Sequence, residues 1–478
     1  MSNPSPSAGS PAAPGPASDK AVPFIEKLMY GIGSGSFQLS NDGVKGLANP
    51  IFNITLGLNL ALVGFVLMIT RLLDAFFDPI VGKWSDDFRS RWGRRRPFIF
   101  VGSFLTAAAF ILIWMVPESW KGDTVPLFTY YLLAMLLFYF CSSIQVVPYH
   151  TLGLEMTPDY HERTVIAGYK MVFSFIFTLF LPWVFFLAQS SATGGSTMAG
   201  MRYWSYIIAA AIVLGGVLPA FFVKERYYHI ASKQAKVPFW TGIRHTFQNR
   251  PFLILTGILL MTGIGSGLIG AFGQYIVFYY MYGGDTKEGA KLVAQGANLF
   301  SVIAILSTPL VTWMSVKLGK VRMLAYLILL GMVASVASFF CYSKEWPFLI
   351  FIVYALQAPQ AAGFWTLTTS MKADICDDDE IQHGMRREGM FGSVGGWVLK
   401  VALSSTHFLS GLMLNATGLK PELGGDQTPG TFMAMRVLFA VVPVLFASLS
   451  LFFLWKYPLT GKRMGEIRGE LESRRQKV

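Results

Sequence analysis

Arg71, Asp74 and Asp78 stand three and four residues apart inside an apolar run at 58–83. Helical spacing puts them on one stripe, one turn from each other. Within hydrocarbon an ionisable side chain costs about 2.5–3.5 kcal/mol on insertion scales, so it needs a partner or a role. Two stacked carboxylates repel when both are ionised, so either one keeps a proton or a cation sits between them. Both outcomes suit a site whose occupancy follows a proton or sodium gradient. The structural alternative is that Arg71 neutralises Asp74 while Asp78, next to Pro79, lies near the end of the run. Lys400 is the complementary charge, alone in the middle of the run 389–416. It is expected to pair with an acid from another helix, and Asp74, Asp78 and Asp42 are the available ones. Such a lysine contacts substrate or lets go when a cation arrives; otherwise it snorkels to an interface.

Other polar residues inside apolar runs carry weaker signals. Asp42 and Lys45 can pair with each other at i,i+3, and Lys170 is close enough to one end of its run to reach water. A single His150 in such a run is as much a packing residue as a proton relay. Trp365 is one of twelve tryptophans, most of which serve as interfacial belts or packing. Gly265, Gly267 and Gly270 match G-x-G-x-x-G, but no strand precedes them, so they read as close helix packing and not as a dinucleotide site. No G-x-x-x-x-G-K-[ST] occurs, which leaves an ion gradient and not ATP as the source of energy. Prolines 148, 182, 309 and 359 and the glycines near 265–273 are expected to break helices beside a cavity.

The elements that position these residues follow from composition. The 478 residues are 53% hydrophobic and only 14% charged, against about a quarter charged in soluble domains. Three cysteines build no disulfide framework, and the net charge of +12 is placed for a membrane and not for nucleic acid. Twelve apolar runs are long enough to span: 29–56, 58–83, 97–116, 125–150, 164–189, 203–223, 251–282, 289–316, 321–341, 346–372, 389–416 and 431–456. The first is the weakest, carrying Gln38, Asn41, Asp42 and Lys45. Clusters of arginine and lysine follow runs 2, 6, 8 and 10 and the last, and the single Arg163 follows run 4, whereas the alternate connections hold single cations. The positive-inside rule then places both termini in the cytoplasm.

The expected fold is an all-α membrane protein of twelve transmembrane helices in two six-helix halves. The domain boundaries are a flexible cytoplasmic tail 1–22, an N-terminal half 23–223, a central cytoplasmic loop 224–250, a C-terminal half 251–456 and a cytoplasmic tail 457–478. Gly93-Arg94-Arg95-Arg96 and Gly319-Lys320-Val321-Arg322 occupy the same place in each half, a weak repeat of the kind secondary transporters show.

The stretch Arg71–Gly82, followed by Ser85-Asp86 and by Ser90-Arg91-Trp92-Gly93-Arg94-Arg95-Arg96-Pro97, resembles the signature of the glycoside–pentoside–hexuronide:cation symporters of the major facilitator superfamily. Glu155-Met156-Thr157-Pro158-Asp159-Tyr160, Ala373-Asp374-Ile375-Cys376-Asp377, Arg386-Arg387-Glu388-Gly389 and Tyr457-Pro458-Leu459-Thr460 extend the resemblance over nearly the whole chain. It implies cation-coupled symport of a sugar or glycoside by alternating access, in a bacterial inner membrane, without a cofactor. The coupling ion implied is H+ or Na+, held at Asp74 and Asp78 with the Ser143 hydroxyl. Phe77 stands where the family has an asparagine, which removes an oxygen and favours protons.

On the substrate side the resemblance implies Lys400, Trp365 and Lys170, with Phe37 and Gln38 in place of a lysine and an aspartate. Val146 and His150 replace an aspartate and a tryptophan. Gln38, Asp42 and His150 are then expected to bind hydroxyls, with Asp42 replacing the lost acid, and Lys170 with Lys400 also suits a hexuronate carboxylate. Asp86, Arg94, Glu155, Arg163, Asp374, Asp377 and Arg387 are expected to form cytoplasmic charge networks that close an inner gate, or else to be solvated surface charges. Besides the sugar and the lipid no partner is expected, and the chain is expected to act as a monomer. Two rivals remain at this level: a membrane prenyltransferase holding magnesium pyrophosphate at Asp74/Asp78 and the Asp374–Glu380 acids, and a non-transporting sensor of the same fold.

Overall fold

The computed structural model describes residues 22–157, 160–190, 196–225, 246–383 and 388–475. It is helical throughout these residues. The helices are α1 (Phe24–Ala48), α2 (Leu60–Asp87), α3 (Arg96–Ile113), α4 (Thr124–Glu155), α5 (Tyr160–Ala188), α6 (Thr197–Phe222), α7 (Arg250–Leu268), α8 (Thr286–Leu318), α9 (Lys320–Cys341), α10 (Ile350–His383), α11 (Glu388–Ala416), α12 (Pro429–Trp455) and α13 (Gly461–Arg475). Among the described residues eleven helical segments are long and apolar enough to cross a membrane. The twelfth, α1, falls short because it carries Asp42, Lys45 and a run of serines and glycines, and it continues through a π-helical stretch at Asn49–Thr55.

Short polar side chains start the helices. Asn59, Asp285 and Thr428 accept hydrogen bonds from the first free N–H groups of α2, α8 and α12, and Asn249 with Pro251 starts α7. Each satisfies donors that a helix end leaves unpaired. The two basic turns noted in the sequence share a geometry. Gly93 before α3 has φ +104° and Gly319 before α9 has φ +86°, a left-handed region that favours glycine.

Two kinds of expectation, three helix ends and the proline breaks, differ from the structure for a physical reason. α2, α4 and α10 run past their apolar segments to Asp87, Glu155 and His383, because hydropathy marks the bilayer while hydrogen bonding carries the helix on into water. Pro148, Pro182, Pro309 and Pro359 do not break their helices; each lies inside a continuous one, since a proline removes one backbone bond and neighbouring helices hold the rest. Among the described residues only the seventh span breaks. α7 stops at Leu268, the chain turns at Ile269–Ala271, and a short turn Phe272–Tyr275 leads into a π-helical stretch, Ile276–Met281. The G-x-G-x-x-G glycines serve packing: a Cβ at Gly265 would meet the Phe446 Cβ of α12 at 2.7 Å, and one at Gly267 would crowd Thr406 of α11.

The core is arranged unevenly along the bundle. At the end away from the basic turns, one apolar cluster joins residues of both halves, from Phe52, Trp114 and Tyr131 to Tyr275, Phe278 and Met435. Here the α2 and α11 backbones touch at Gly64 and Gly411, Tyr275 donates to Asn53 (2.6 Å), and Asn415 donates to Asn59 (2.9 Å). At the basic-turn end the clusters are separate, with Phe252, Met323, Phe364 and Ile467 in one half and Tyr30, Ile99 and Tyr149 in the other. The halves are sealed at one end and parted at the other. α13 is no loose tail, since Met464 and Ile467 are buried in the second of these clusters. At the other terminus Val22 is buried and donates its N–H to Glu162; the rest of the expected N-terminal tail, and positions 226–245 of the expected central loop, lie outside the described residues.

Candidate ion-coupling and substrate site

α2 presents Asp74 and Asp78 to the space between the halves, α4 brings Ser143, and α11 brings Lys400 from the opposite half. The Lys400 ammonium lies 2.7 Å from Asp74 Oδ2 and 3.0 Å from Asp78 Oδ2. Arg71 also donates to Asp74 Oδ2 (3.0 Å) and lies over the Tyr139 ring. Two cations therefore balance two carboxylates, and Lys400 sits in the place between the acids that an external cation would take. Arg71 holds only Asp74, so the arginine does not lock the pair. The acids differ in access: the Asp74 side chain is 8% exposed and that of Asp78 41%. Asp74 is fixed in the wall, and Asp78 faces the opening.

Ser143 Oγ is 3.1 Å from Asp74 Oδ1 and 2.9 Å from Asp78 Oδ1. A hydroxyl has one hydrogen, so it donates to one carboxylate at a time. Were Asp78 to carry a proton, the carboxyl O–H could donate to Ser143 and Ser143 to Asp74, so that each hydrogen in the row has an acceptor. No group of three or more His, Cys, Asp or Glu suited to a metal ion occurs among the described residues.

These groups line a cavity of about 700 Å³ with Asn41, Lys45, Ser142, His150, Ser404 and His407. Phe77, in the position expected to lack an oxygen, packs edge-on to Phe140 (5.4 Å). His150 Nδ1 lies 3.1 Å from the Lys170 ammonium, which fixes Nδ1 as the acceptor. Lys170 and Gln38 line a second cavity, of about 410 Å³, between α5 and α8. The remaining expected substrate residues lie elsewhere. Asp42 accepts from the Gln38 amide and lies 3.8 Å from Lys45, so its own helix occupies it, and it lines neither cavity. Trp365 is half-exposed on α10, edge-on to Phe364, and also lines neither.

At the basic-turn end each half has its own charge network. Arg94 bonds Glu155 and lies 3.3 Å from Asp86; Arg95 bonds Asp86 and donates to Ser85 (2.6 Å). Glu225 accepts from the backbone N–H groups of Arg94, Arg95 and Arg96 at 3.0, 2.8 and 3.1 Å, capping α3. In the other half Lys320 pairs with Asp374 at 2.6 Å. Asp377 is half-buried on α10; Arg387 and the Arg163 side chain lie outside what is described. The pairs named here each stay within one half. Glu225 and His407 had not stood out in the sequence, and Lys45 had stood out only as a partner for Asp42. Glu225 lay in a polar interval with no motif, and its one signal was being an acid two residues past an apolar run.

A family profile described as MFS/sugar transport protein matches residues 29–461. The chain belongs to that family. Among its relatives are the glucuronide carrier protein homolog of Escherichia coli (strain K12), 24% identical over 88% of this chain and 89% of its own, and a putative glycoside/cation symporter of the same organism, 22% identical over 93% and 94%. The fold is shared with the crystal structure of a bacterial homolog to human lysosomal transporter, Spinster, in an inward-facing and unoccupied conformation. Its TM-score is 0.65 at 15% identity, over 93% of this chain and all of that one. The protein is thus an integral membrane transporter of the major facilitator fold and takes a small-molecule substrate. Membership of a transporter family removes the prenyltransferase alternative.

Proposed function

We propose that the protein couples entry of a sugar or glycoside to a cation gradient, with Asp74, Asp78 and Ser143 holding the ion and Lys400 as its internal competitor. The observation that carries this is the Lys400 ammonium bridging both carboxylates from the opposite half. An incoming cation displaces it, and the freed lysine turns to substrate, so ion and sugar strengthen each other's binding by the same factor. Protons are the favoured ion. Ser143 offers a one-proton relay, and Phe77 supplies no further oxygen for sodium, which prefers several.

On the substrate side, Lys170 has no carboxylate partner among the described residues, only His150. A cation in hydrocarbon without a counter-charge suits a substrate that brings one, as a hexuronide does. Gln38 and His150 adjoin it as hydroxyl partners, with Trp365 and Asp42 as outer contributors. The basic loops support a cytoplasmic position for both termini, and the bacterial relatives support a bacterial inner membrane. The sealed end then faces outward and the parted end inward, with halves 23–223 and 251–456 rocking as units and the charge networks of Arg94 and Asp374 at the inner rim. A monomer contains the whole pathway.

Uptake into proteoliposomes under imposed gradients tests the reading. Labelled glucuronides and xylosides should accumulate under an inward proton gradient and leak out on adding a protonophore in sodium-free buffer. Accumulation driven by sodium alone would reassign the ion, and no gradient-driven flux would leave a sensor of the same fold.

A further inference from the structure

The C-terminal half contains a third cavity, of about 420 Å³, that the coupling site does not use. Gln274 from the broken seventh span and Gln357 and Gln360 from α10 line it, with Tyr342, Tyr354 and Phe300. None of its lining residues is an Asp, Glu, Lys or Arg. Its size lies within the range of small-molecule pockets, roughly 300–1,000 Å³. The three amides are half-buried and open onto the cavity, and they have no protein hydrogen-bond partner among the described residues. The backbone accommodates this arrangement. The break after Leu268 places Gln274 at the cavity. Gly331 of α9 leaves room for the Gln360 stem, whose Cγ would lie 3.0 Å from any Cβ there.

We propose that this cavity is a subsite for a neutral pyranose ring, making the preferred substrate a glycoside of two rings. The inference rests on the sugar-symport reading above. Each amide offers one acceptor oxygen and two donor hydrogens, which matches neighbouring ring hydroxyls that both donate and accept. Tyr342, Tyr354 and Phe300 supply apolar faces for ring C–H groups. Phe300 also lines the cavity of Gln38 and Lys170, so the two spaces adjoin across one side chain. One ring lies by Lys170 and His150, and the second reaches past Phe300 to the glutamines. The absence of charge in the second position excludes an acid there and admits a neutral sugar.

Calorimetric titration of the purified full chain tests this with paired probes: methyl glucuronide against glucuronosyl-xylose, and methyl xyloside against a xylosyl-glucose disaccharide. At least one two-ring probe should bind about tenfold or more tighter than its one-ring counterpart, as expected when unpaired polar groups gain partners. The Gln357→Leu/Gln360→Leu variant should erase that advantage and leave one-ring binding unchanged, which also shows that it folds. Equal binding of one- and two-ring probes, an advantage that survives the double variant, or loss of both kinds of binding in it would overturn the subsite. Gradient-driven, Asp78-dependent uptake of a one-ring probe alongside any of these results would leave the transport reading standing. Absence of uptake for every probe would instead count against transport itself.

Discussion

At the scale of single residues the site is a balance of four charges, and each change tips it differently. Asp78→Asn keeps the shape but removes the exposed carboxylate, so uphill accumulation should vanish. Sugar exchange across the membrane without a gradient should persist; unaltered accumulation would refute the role. Lys400→Ala leaves Asp74 and Asp78 with Arg71 alone. Breaking a buried pair by removing one partner costs about 3–5 kcal/mol, so the thermal midpoint should fall by several degrees in sodium-free buffer at alkaline pH and recover in part when the pH is lowered or sodium is added. A midpoint equal to wild type would make Lys400 a packing residue. Ser143→Ala removes the hydroxyl between the acids and should slow coupled uptake by about tenfold, the size of one hydrogen bond to a charged group, while Ser143→Thr should retain it. Much of this was legible beforehand. The acids and the lysine stood out because hydrocarbon makes them expensive; of the three acids open to Lys400 in the sequence, Asp74, Asp78 and Asp42, it pairs with the first two. Lys45 and His407 were not legible, because nothing in their spacing says that helices α1 and α11 turn them into the same cavity.

At the scale of elements, amphipathic spacing counted less than charge. The spans were readable from hydropathy and the alternation of basic loops, whereas the caps that orient them were not. Glu225 is the case in point. It reaches from the end of α6 to three N–H groups at the start of α3, so it holds the turn that carries Arg94 and Arg95. Loss of a helix cap costs about 0.5–2 kcal/mol. Glu225→Ala should therefore lower the melting temperature of the purified protein, and Glu225→Gln, which keeps an acceptor oxygen, should lower it less. Gly93→Ala attacks the same joint from the other side. Its φ of +104° disfavours a side chain and its Cβ would meet Glu225 Oε1 at 2.5 Å, so it should destabilise at least as much. If neither variant shifts the melt, the Arg94 network is held by something other than this cap. The proline positions carry the opposite lesson: they looked like breaks because an isolated helix loses a bond there, and the surrounding helices supply what the sequence alone lacks.

At the scale of the whole molecule, the decisive feature is that the halves share a core at one end only. The seam there depends on two glycines. Gly64 of α2 abuts the His407 backbone of α11, and a Cβ at Gly411 would meet the Leu60 carbonyl oxygen at 2.5 Å. Backbones this close help to close the sealed end, and nothing flexible can move aside for an added methyl. Gly411→Val should therefore wedge the seam and shift the population toward outward-opening, since a substituent that clashes in one state favours the other by its full cost in the first. His407 lies just beneath the seam, among the residues lining the coupling cavity. A single cysteine at position 407, with Cys141, Cys341 and Cys376 replaced, should react slowly with a membrane-impermeant thiol reagent added outside. Gly411→Val should raise that rate severalfold and depress sugar accumulation, because the inward-open state is then reached less often. Raised labelling with normal uptake would show that the seam is a loose lid and not a gate. Unchanged labelling would mean that the two halves seal elsewhere, and the joined core around Phe52 and Tyr275 would be the next place to test.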